Sequence, residues 1–238
     1  MYSFDARVRY SECDKDGRLS LVAMINYLQD CSTFHSESLG IGFGPLGERG
    51  LAWVLGAWQI EIEELPLFNT PITVSTWCHE ITHAHALRNF QILDCEGRTL
   101  VRADSQWLMF DTAKQRATRV PEDQRAYFTG EKRLDMAPFE RKIRVPEGGR
   151  RCQTIVVGEQ NLDTNRHVNN AQYVLFALDA LAELGHAIDL ARLSVQYRKM
   201  AWLGDSIVAV AHEDGGGWVV ELEDEAGTNY ALVRLKTR

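Results

Sequence analysis

Leu162-Asp163-Thr164-Asn165-Arg166-His167-Val168-Asn169-Asn170-Ala171-Gln172-Tyr173 stands immediately ahead of an apolar pattern of helical period. Asp163, Asn165 and His167 alternate, and alternation by two along an extended or looped segment sends side chains to one side. The spacing predicts that three polar side chains face one place. Asn169 or Asn170 is a good N-cap, and Ala171, Val174, Leu175, Leu178, Leu181 and Ala182 follow at helical spacing until Gly185 supplies a stop. The start of such a helix carries free N–H groups and the positive end of the dipole, which favour a carboxylate or a developing oxyanion. The same residues also fit a turn shaped by Asp163 and Asn165, a packed His167 and a capping asparagine pair. Both readings stand at this level.

Working outward, the same order of elements occurs twice. Toward the N-terminus, Val8 to Glu12 alternates like a short strand, and Asp14-Lys15-Asp16-Gly17 is turn chemistry. Ser20 caps a helix whose Leu21, Met24, Ile25 and Leu28 form a buried face; the pattern turns polar through Ser32, His35 and Ser38, and Gly40 ends it. Strands are predicted over 51–63, 72–79, 86–94 and 99–110, with Trp53, Leu55 and Ala57 on one parity and a hairpin turn at Cys95-Glu96-Gly97-Arg98. Period is lost over 114–151, which carries Pro121, Pro138, Pro146 and Gly148-Gly149 and predicts a connector with a short helix around 122–128. A strand over 153–157, the quoted stretch with its helix, and strands over 193–199, 206–212, 218–223 and 230–236 complete the chain.

Residue types support the repeat. Asp14, Asp16, Arg18, Leu19 and Ser20 fall against Asp163, Asn165, His167, Val168 and Asn169 at a constant offset of 149. Glu61-Ile62 and Asn69-Thr70 fall against Gln196-Tyr197 and Gly204-Asp205 at an offset of 135, and Gly97 against Gly227 at 130. The halves read as copies with trimmed loops. Arg18 stands where the second copy has His167, so the first lacks a neutral imidazole for proton handling.

Composition narrows the function classes. A chain of 238 residues with 45% hydrophobic content can bury a sizeable core, as one domain or as two of roughly 110–120 residues. No apolar run approaches the roughly 18 residues of a membrane span, and the first residues lack the apolar centre of a signal peptide. Five cysteines are scattered without a Cys-x-x-Cys pair, so a reducing cytoplasm is the expected location. His79, His83 and His85 lie close together without cysteines or a His-Glu-x-x-His pattern; they read as strand and turn residues, and no metal is expected. A net charge of −7 argues against general nucleic-acid affinity. With no phosphate-cradling glycine loop in view, no cofactor is expected.

The residues from Asp163 to Asn170 resemble the Asp-x-Asn-x-His-Val-Asn-Asn signature of the acyl-carrier-protein (ACP) thioesterase family, matching it at every fixed position. The resemblance implies an α+β fold of two tandem hot-dog domains, each a long helix wrapped by a curved antiparallel sheet. It implies an N-terminal hot-dog over 1–113 that binds the acyl chain, a connector over 114–151 and a C-terminal hot-dog over 152–238 that carries the motif. The implied activity is hydrolysis of the fatty acyl-ACP thioester to free fatty acid, which ends chain elongation. By the same resemblance Asp163 is the candidate base or nucleophile, Asn165 holds a water or the carbonyl, and His167 carries a proton or donates a hydrogen bond.

One departure stands out. Where the family commonly has Tyr-(Arg/Lys)-(Arg/Lys)-Glu, this chain has Tyr197-Arg198-Lys199-Met200, and Ala201 takes the place of the cysteine that follows in plant members. Asp163 would then be the sole carboxylate, or the protein would bind acyl groups without rapid turnover; a packed strand residue is the plainer account of Met200. Met24, Leu28, Trp53 and Leu55 are candidate lining residues for the acyl chain and equally readable as core. Arg141, Lys142, Arg144, Arg150 and Arg151 form the densest basic cluster, a candidate dock for an acidic carrier or simply a solvated connector. An acyl-CoA thioesterase and a non-catalytic acyl-binding protein are the alternatives, and a hot-dog dehydratase fits the motif less well. A monomer of two hot-dogs and a homodimer both remain open.

Overall fold

Ser20 begins the first long helix: its hydroxyl accepts a hydrogen bond from the Ala23 amide (3.2 Å), and α1 (Leu21–Ser38) follows. The computed structural model describes residues 1–140 and 142–238, which form two units, Met1–Phe139 and Glu140–Arg238.

In the first unit, β1 (Tyr2–Arg7), β2 (Leu51–Ile62), β3 (Pro71–Ile81), β4 (His85–Asp94) and β5 (Thr99–Asp111) make one antiparallel sheet in the order β1-β3-β4-β5-β2. Helix α1 lies against β3 and β1, and its buried face runs Met24, Ile25, Leu28, Cys31, Ser32, His35. Met24 and Leu28 are fully buried, each worth about 1.5–3 kcal/mol relative to exposure. Gly40, at φ +68, ends the helix where a side chain would be strained. A short helix, α2 (Phe43–Gly47), places Leu46 against Met109 and Val120.

The expected parity of β2 changes partway along it. A β-bulge at Gly56 shifts the register between Leu55 and Ala57, so buried side chains pass from Leu55 to the even-numbered Trp58, Ile60 and Ile62. Gln59 then faces a different partner, donating to the Ala137 carbonyl (2.9 Å). Other strand side chains do the same: Trp77 donates to the Lys132 carbonyl (2.9 Å), and Asn89 accepts from the Leu134 amide (2.8 Å). Fully buried Asp104 takes His79 Nε2 (3.0 Å) on one oxygen and Arg133 Nε (3.0 Å) on the other. Residues 132–137 are thereby laced to the sheet through side chains of β2–β5.

Residues 114–139 fall in the first unit and 140–151 in the second. A two-residue strand, β6 (Arg116–Ala117), pairs with β5, and the helix expected near 122–128 is a 3₁₀ turn over Glu122–Tyr127. Tyr127 is buried with Cys78 and Ala86.

In the second unit, β7 (Arg150–Val156), β8 (Leu190–Tyr197), β9 (Ser206–Glu213), β10 (Gly217–Glu223) and β11 (Asn229–Thr237) are antiparallel in the order β7-β9-β10-β11-β8. This is the first unit's order repeated strand for strand. The helix α3 (Asn170–Glu183) packs on this sheet through Ala171, Val174, Ala177 and Leu181, and Gly185 at φ +83 ends it. Ile143 and Val145 pack on Val219 and Leu232. The hairpin turns match as well: Asp94 and Asp224 each accept, on one side-chain oxygen, the amides two and four residues on, with Gly97 at φ +78 and Gly227 at +81.

Candidate active site

The stretch from Leu162 to Asn169 is a tight turn rather than an alternating extended segment. The Asp163 amide donates to the His167 carbonyl (2.9 Å), the Arg166 amide to the Asp163 carbonyl (3.0 Å), and the Asn165 amide to Asp163 Oδ1 (2.8 Å). Chain reversal brings residues 163 and 167 face to face. His167 Nδ1 lies 3.7 Å from Asp163 Oδ1, with side chains about one-quarter and one-fifth exposed. Asn165 sits at the exposed tip, so the turn pairs two of the three expected polar residues and leaves the third outside that pair.

Asn169 is the N-cap of α3, accepting from the Ala171 amide (2.8 Å) with its side chain and from the Gln172 amide (2.9 Å) with its carbonyl. Those two amides are therefore engaged, and what the helix end offers a reacting group is chiefly its dipole. Asn161 supports the approach: it accepts the Asn169 amide on its carbonyl (2.9 Å), takes the Gly158 amide on Oδ1 (2.9 Å) and donates to Gln172 Oε1 (2.9 Å).

Behind His167 runs the loop from Arg198 to Asp205, which the motif alone did not disclose. The Val168 amide donates to the Ala201 carbonyl (3.0 Å), and the indole of Trp202 meets the imidazole edge to face at 5.1 Å. Asp205 Oδ2 accepts from the Trp202 amide (2.9 Å) and from Tyr230 Oη (3.3 Å). Tyr173 Oη accepts the Ala201 amide (3.1 Å), and Tyr197 Oη donates to the Asn170 carbonyl (3.0 Å). Burial pushes the Tyr173 phenol up to about 12, so it stays neutral as part of the framework. Met200 lies in this loop, beyond the end of β8, and not within a strand.

The first unit contains the same turn without the imidazole. The Asp14 amide donates to the Arg18 carbonyl (2.7 Å), Asp14 Oδ1 accepts the Asp16 amide (2.9 Å), and the Leu19 amide donates to the Pro66 carbonyl (2.8 Å). These bonds match those of Asp163, Asn165 and Val168 at offsets of 149 and 135. Arg18 there points to Glu64 (3.8 Å) and donates to the Leu65 carbonyl (3.1 Å); Lys199 and Met200 are the corresponding residues of the second unit. A carboxylate beside an imidazole, both part-exposed at a helix start, can accept a proton, pass it on and stabilise negative charge.

Residues 1–128 match the family model of the acyl-ACP thioesterase N-terminal domain, and residues 150–236 that of its C-terminal domain. The chain belongs to the acyl-ACP thioesterase family. Among its relatives are a chloroplastic acyl-[acyl-carrier-protein] hydrolase of Cuphea viscosissima (30% identity, covering 81% of this chain and 50% of the relative) and the chloroplastic dodecanoyl-[acyl-carrier-protein] hydrolase of Cinnamomum camphora (26% identity, 97% and 65%). The chain thus spans about half to two-thirds of the length of these curated relatives. The crystal structure of an acyl-ACP thioesterase from Bacteroides thetaiotaomicron superposes with a TM-score of 0.88 at 22% identity, covering 99% of this chain and 97% of the other. A putative oleoyl thioesterase from Lactobacillus plantarum gives 0.86 at 25% identity, covering 99% and 96%. The fold is the tandem hot-dog.

Within this family framework the remaining expected residues fall as follows. Met24 and Leu28 lie on the buried face of α1; Leu55 is buried on β2, and Trp53 on the same strand is tied by its indole N–H to Gln124 Oε1 (2.9 Å). Of the basic cluster, Arg141 lies outside the described residues. Lys142, Arg144 and Arg151 are exposed, and the Arg144 carbonyl accepts from Arg234 (3.2 Å). Arg150 is engaged by Glu213 (3.6 Å), His186 (3.3 Å) and the Trp218 ring (5.5 Å). No described helix is long and apolar enough to cross a membrane.

Proposed function

We propose that the chain hydrolyses the thioester of fatty acyl-ACP, releasing free fatty acid and the carrier thiol and so ending chain elongation. The Asp163–His167 pair at 3.7 Å, on the turn leading into α3 of a chain of this family, carries the reading. Asp163 accepts a proton from water as the water oxygen bonds to the thioester carbon. The oxyanion so formed is stabilised by the positive end of α3 and by donors such as Asn165. Collapse breaks the carbon–sulfur bond, and the proton taken by Asp163 reaches the departing thiolate through His167. Water is the only co-reactant.

The acyl chain occupies the first unit, where Met24, Leu28, Trp53 and Leu55 are its proposed lining. The acidic carrier docks on exposed basic residues, with Lys142, Arg144 and Arg151 better placed than the engaged Arg150. A reducing cytoplasm suits the free, buried thiols of Cys31, Cys78 and Cys152. Met200 supports a second reading, acyl binding without rapid turnover, because it puts an apolar side chain where the family commonly has a glutamate.

Release of free thiol from acyl-ACP and acyl-CoA thioesters of several chain lengths, by the wild type and Asp163→Asn, tests both. Turnover of carrier-bound substrates that collapses in the variant is expected. Saturable acyl binding with no turnover would establish the second reading, and turnover confined to CoA esters would replace the carrier.

A further inference from the structure

Among the described residues, three non-glycine residues have a left-handed backbone: Asn69 at φ +68, Gln115 at +52 and Arg166 at +66. Asparagine tolerates that region, and the Asn69 side chain is also held by Arg7 (3.1 Å). Gln115 is compensated by its own side chain, which donates to the Thr112 carbonyl (2.7 Å). Arg166 has neither excuse. Its guanidinium makes no ion pair or hydrogen bond among the described residues, and it is exposed. The turn itself does not ask for an arginine, because the matching position of the first unit is Gly17, at φ +74 with nothing near a would-be Cβ. A left-handed backbone bearing an unpaired cation, one residue before His167, costs stability that a glycine there would not.

We propose that Arg166 is the anion-binding residue of this site and holds the phosphate ester of a pantetheine arm while the thioester lies between Asp163 and His167. Pantetheine separates its sulfur from its phosphate by roughly 15 Å when extended. Arg166 is exposed and next to His167 in the chain, its side chain reaches roughly 7 Å from its own Cα, and its planar fork matches phosphate oxygens. The same phosphate is found on the carrier-bound arm and on coenzyme A. The assignment rests on the reading above that the chain takes acyl thioesters of a phosphopantetheine arm, whether or not it turns them over.

The test uses one acyl group on four handles: ACP, 4′-phosphopantetheine, pantetheine and N-acetylcysteamine, the last two without phosphate. Arg166→Gly fits the backbone, so its melting temperature should rise by a few degrees while kcat/KM for the two phosphate-bearing substrates, relative to the two phosphate-free ones, falls about tenfold through KM. Arg166→Lys should recover part of the ratio. An equal fall on all four handles, or none, overturns the assignment; a fall on ACP alone transfers the contact to carrier carboxylates and also overturns it. Calorimetric binding of 4′-phosphopantetheine to the two proteins is the readout independent of turnover. A wild type that hydrolyses nothing but binds the phosphate tenfold more tightly than Arg166→Gly upholds the anion site while refuting the hydrolase. Equal binding by the two proteins refutes the anion site.

Discussion

Arg88 Nη2 lies 2.6 Å from Nδ1 of His35, so a buried guanidinium of the first unit is held by a neutral imidazole and not by a carboxylate. Thr76 Oγ1 (3.4 Å) and the face of Tyr127 (5.1 Å to the ring centre) complete its surroundings. Burial, with the Arg88 charge beside it, holds the His35 imidazole down at about 4 from an ordinary 6.5.

A depressed histidine pKa makes the stability of the first unit pH-dependent with a definite sign. The contribution is fully present above pH 6.5 and is lost as pH falls toward 4, because the unfolded chain binds a proton that the folded one refuses. Urea unfolding of the wild type should therefore lose on the order of 2 kcal/mol more than His35→Gln between pH 7 and pH 4. Parallel acid limbs for the two proteins would refute this.

Asp163→Asn keeps an acceptor at Oδ1 for the Asn165 amide, so the turn should survive. Activity should not. A fall in kcat/KM of about 10²–10⁴ is expected, with an unchanged melting curve. Thiol release and thermal unfolding, measured on one preparation, separate the chemical effect from loss of fold.

Asp205 bonds to Trp202 and Tyr230, and Trp202 stacks edge to face on His167. Asp205→Ala leaves both donors unmet and should lower stability by about 1–2 kcal/mol. It should also reduce kcat more than KM, since the loop packs Trp202 on the His167 imidazole. Steady-state kinetics on a single acyl-ACP would show a KM-dominated defect if the loop instead contacts the substrate.

Met200→Glu returns the carboxylate that the family commonly has in this place. Met200 is half-buried in a loop and can be changed without opening a core cavity. A rise of several-fold in kcat on acyl-ACP is the expected result; a fall would show that Asp163 works best as the sole carboxylate.

Asp104 gathers His79, Arg133 and the Ser105 amide around a fully buried carboxylate. Asp104→Ala should cost about 3–5 kcal/mol in chemical denaturation, because Arg133 and His79 lose their shared partner. It should also expose the 132–137 segment to proteolysis before the sheet.

The two-copy architecture was legible because capping residues, turn residues and helical period recur at fixed offsets, and offsets survive where side chains diverge. The family motif picked out Asp163 and His167 as candidates, and the structure sets the two side chains 3.7 Å apart. Its geometry was not. Alternation suggested one polar face, whereas hydrogen bonds from the Asp163 amide and to its carbonyl close a turn that pairs residues four apart. The parity of β2 was misread past Leu55 because a one-residue bulge at Gly56 exchanges the two faces, and no hydrophobic count reveals an inserted residue. The segment over 132–137 carries no period because its backbone is held by strand side chains such as Gln59, Trp77 and Asn89. Trp202 and Asp205 were within reach through the offset of 135, which sets them against Leu67 and Thr70.

The paired turns at Asp14 and Asp163 have a consequence for how such a protein can change. In an assembly of identical subunits every substitution appears in each copy, so an arginine gained at one turn is imposed on all of them. Here Gly17 and Arg166, or Arg18 and His167, are encoded separately. One turn is free to drift toward plain scaffolding while the other keeps a histidine and tolerates a strained cation. A single polypeptide has made its two halves unequal, and mutational scanning should find the tolerance of the first turn far broader than that of the second.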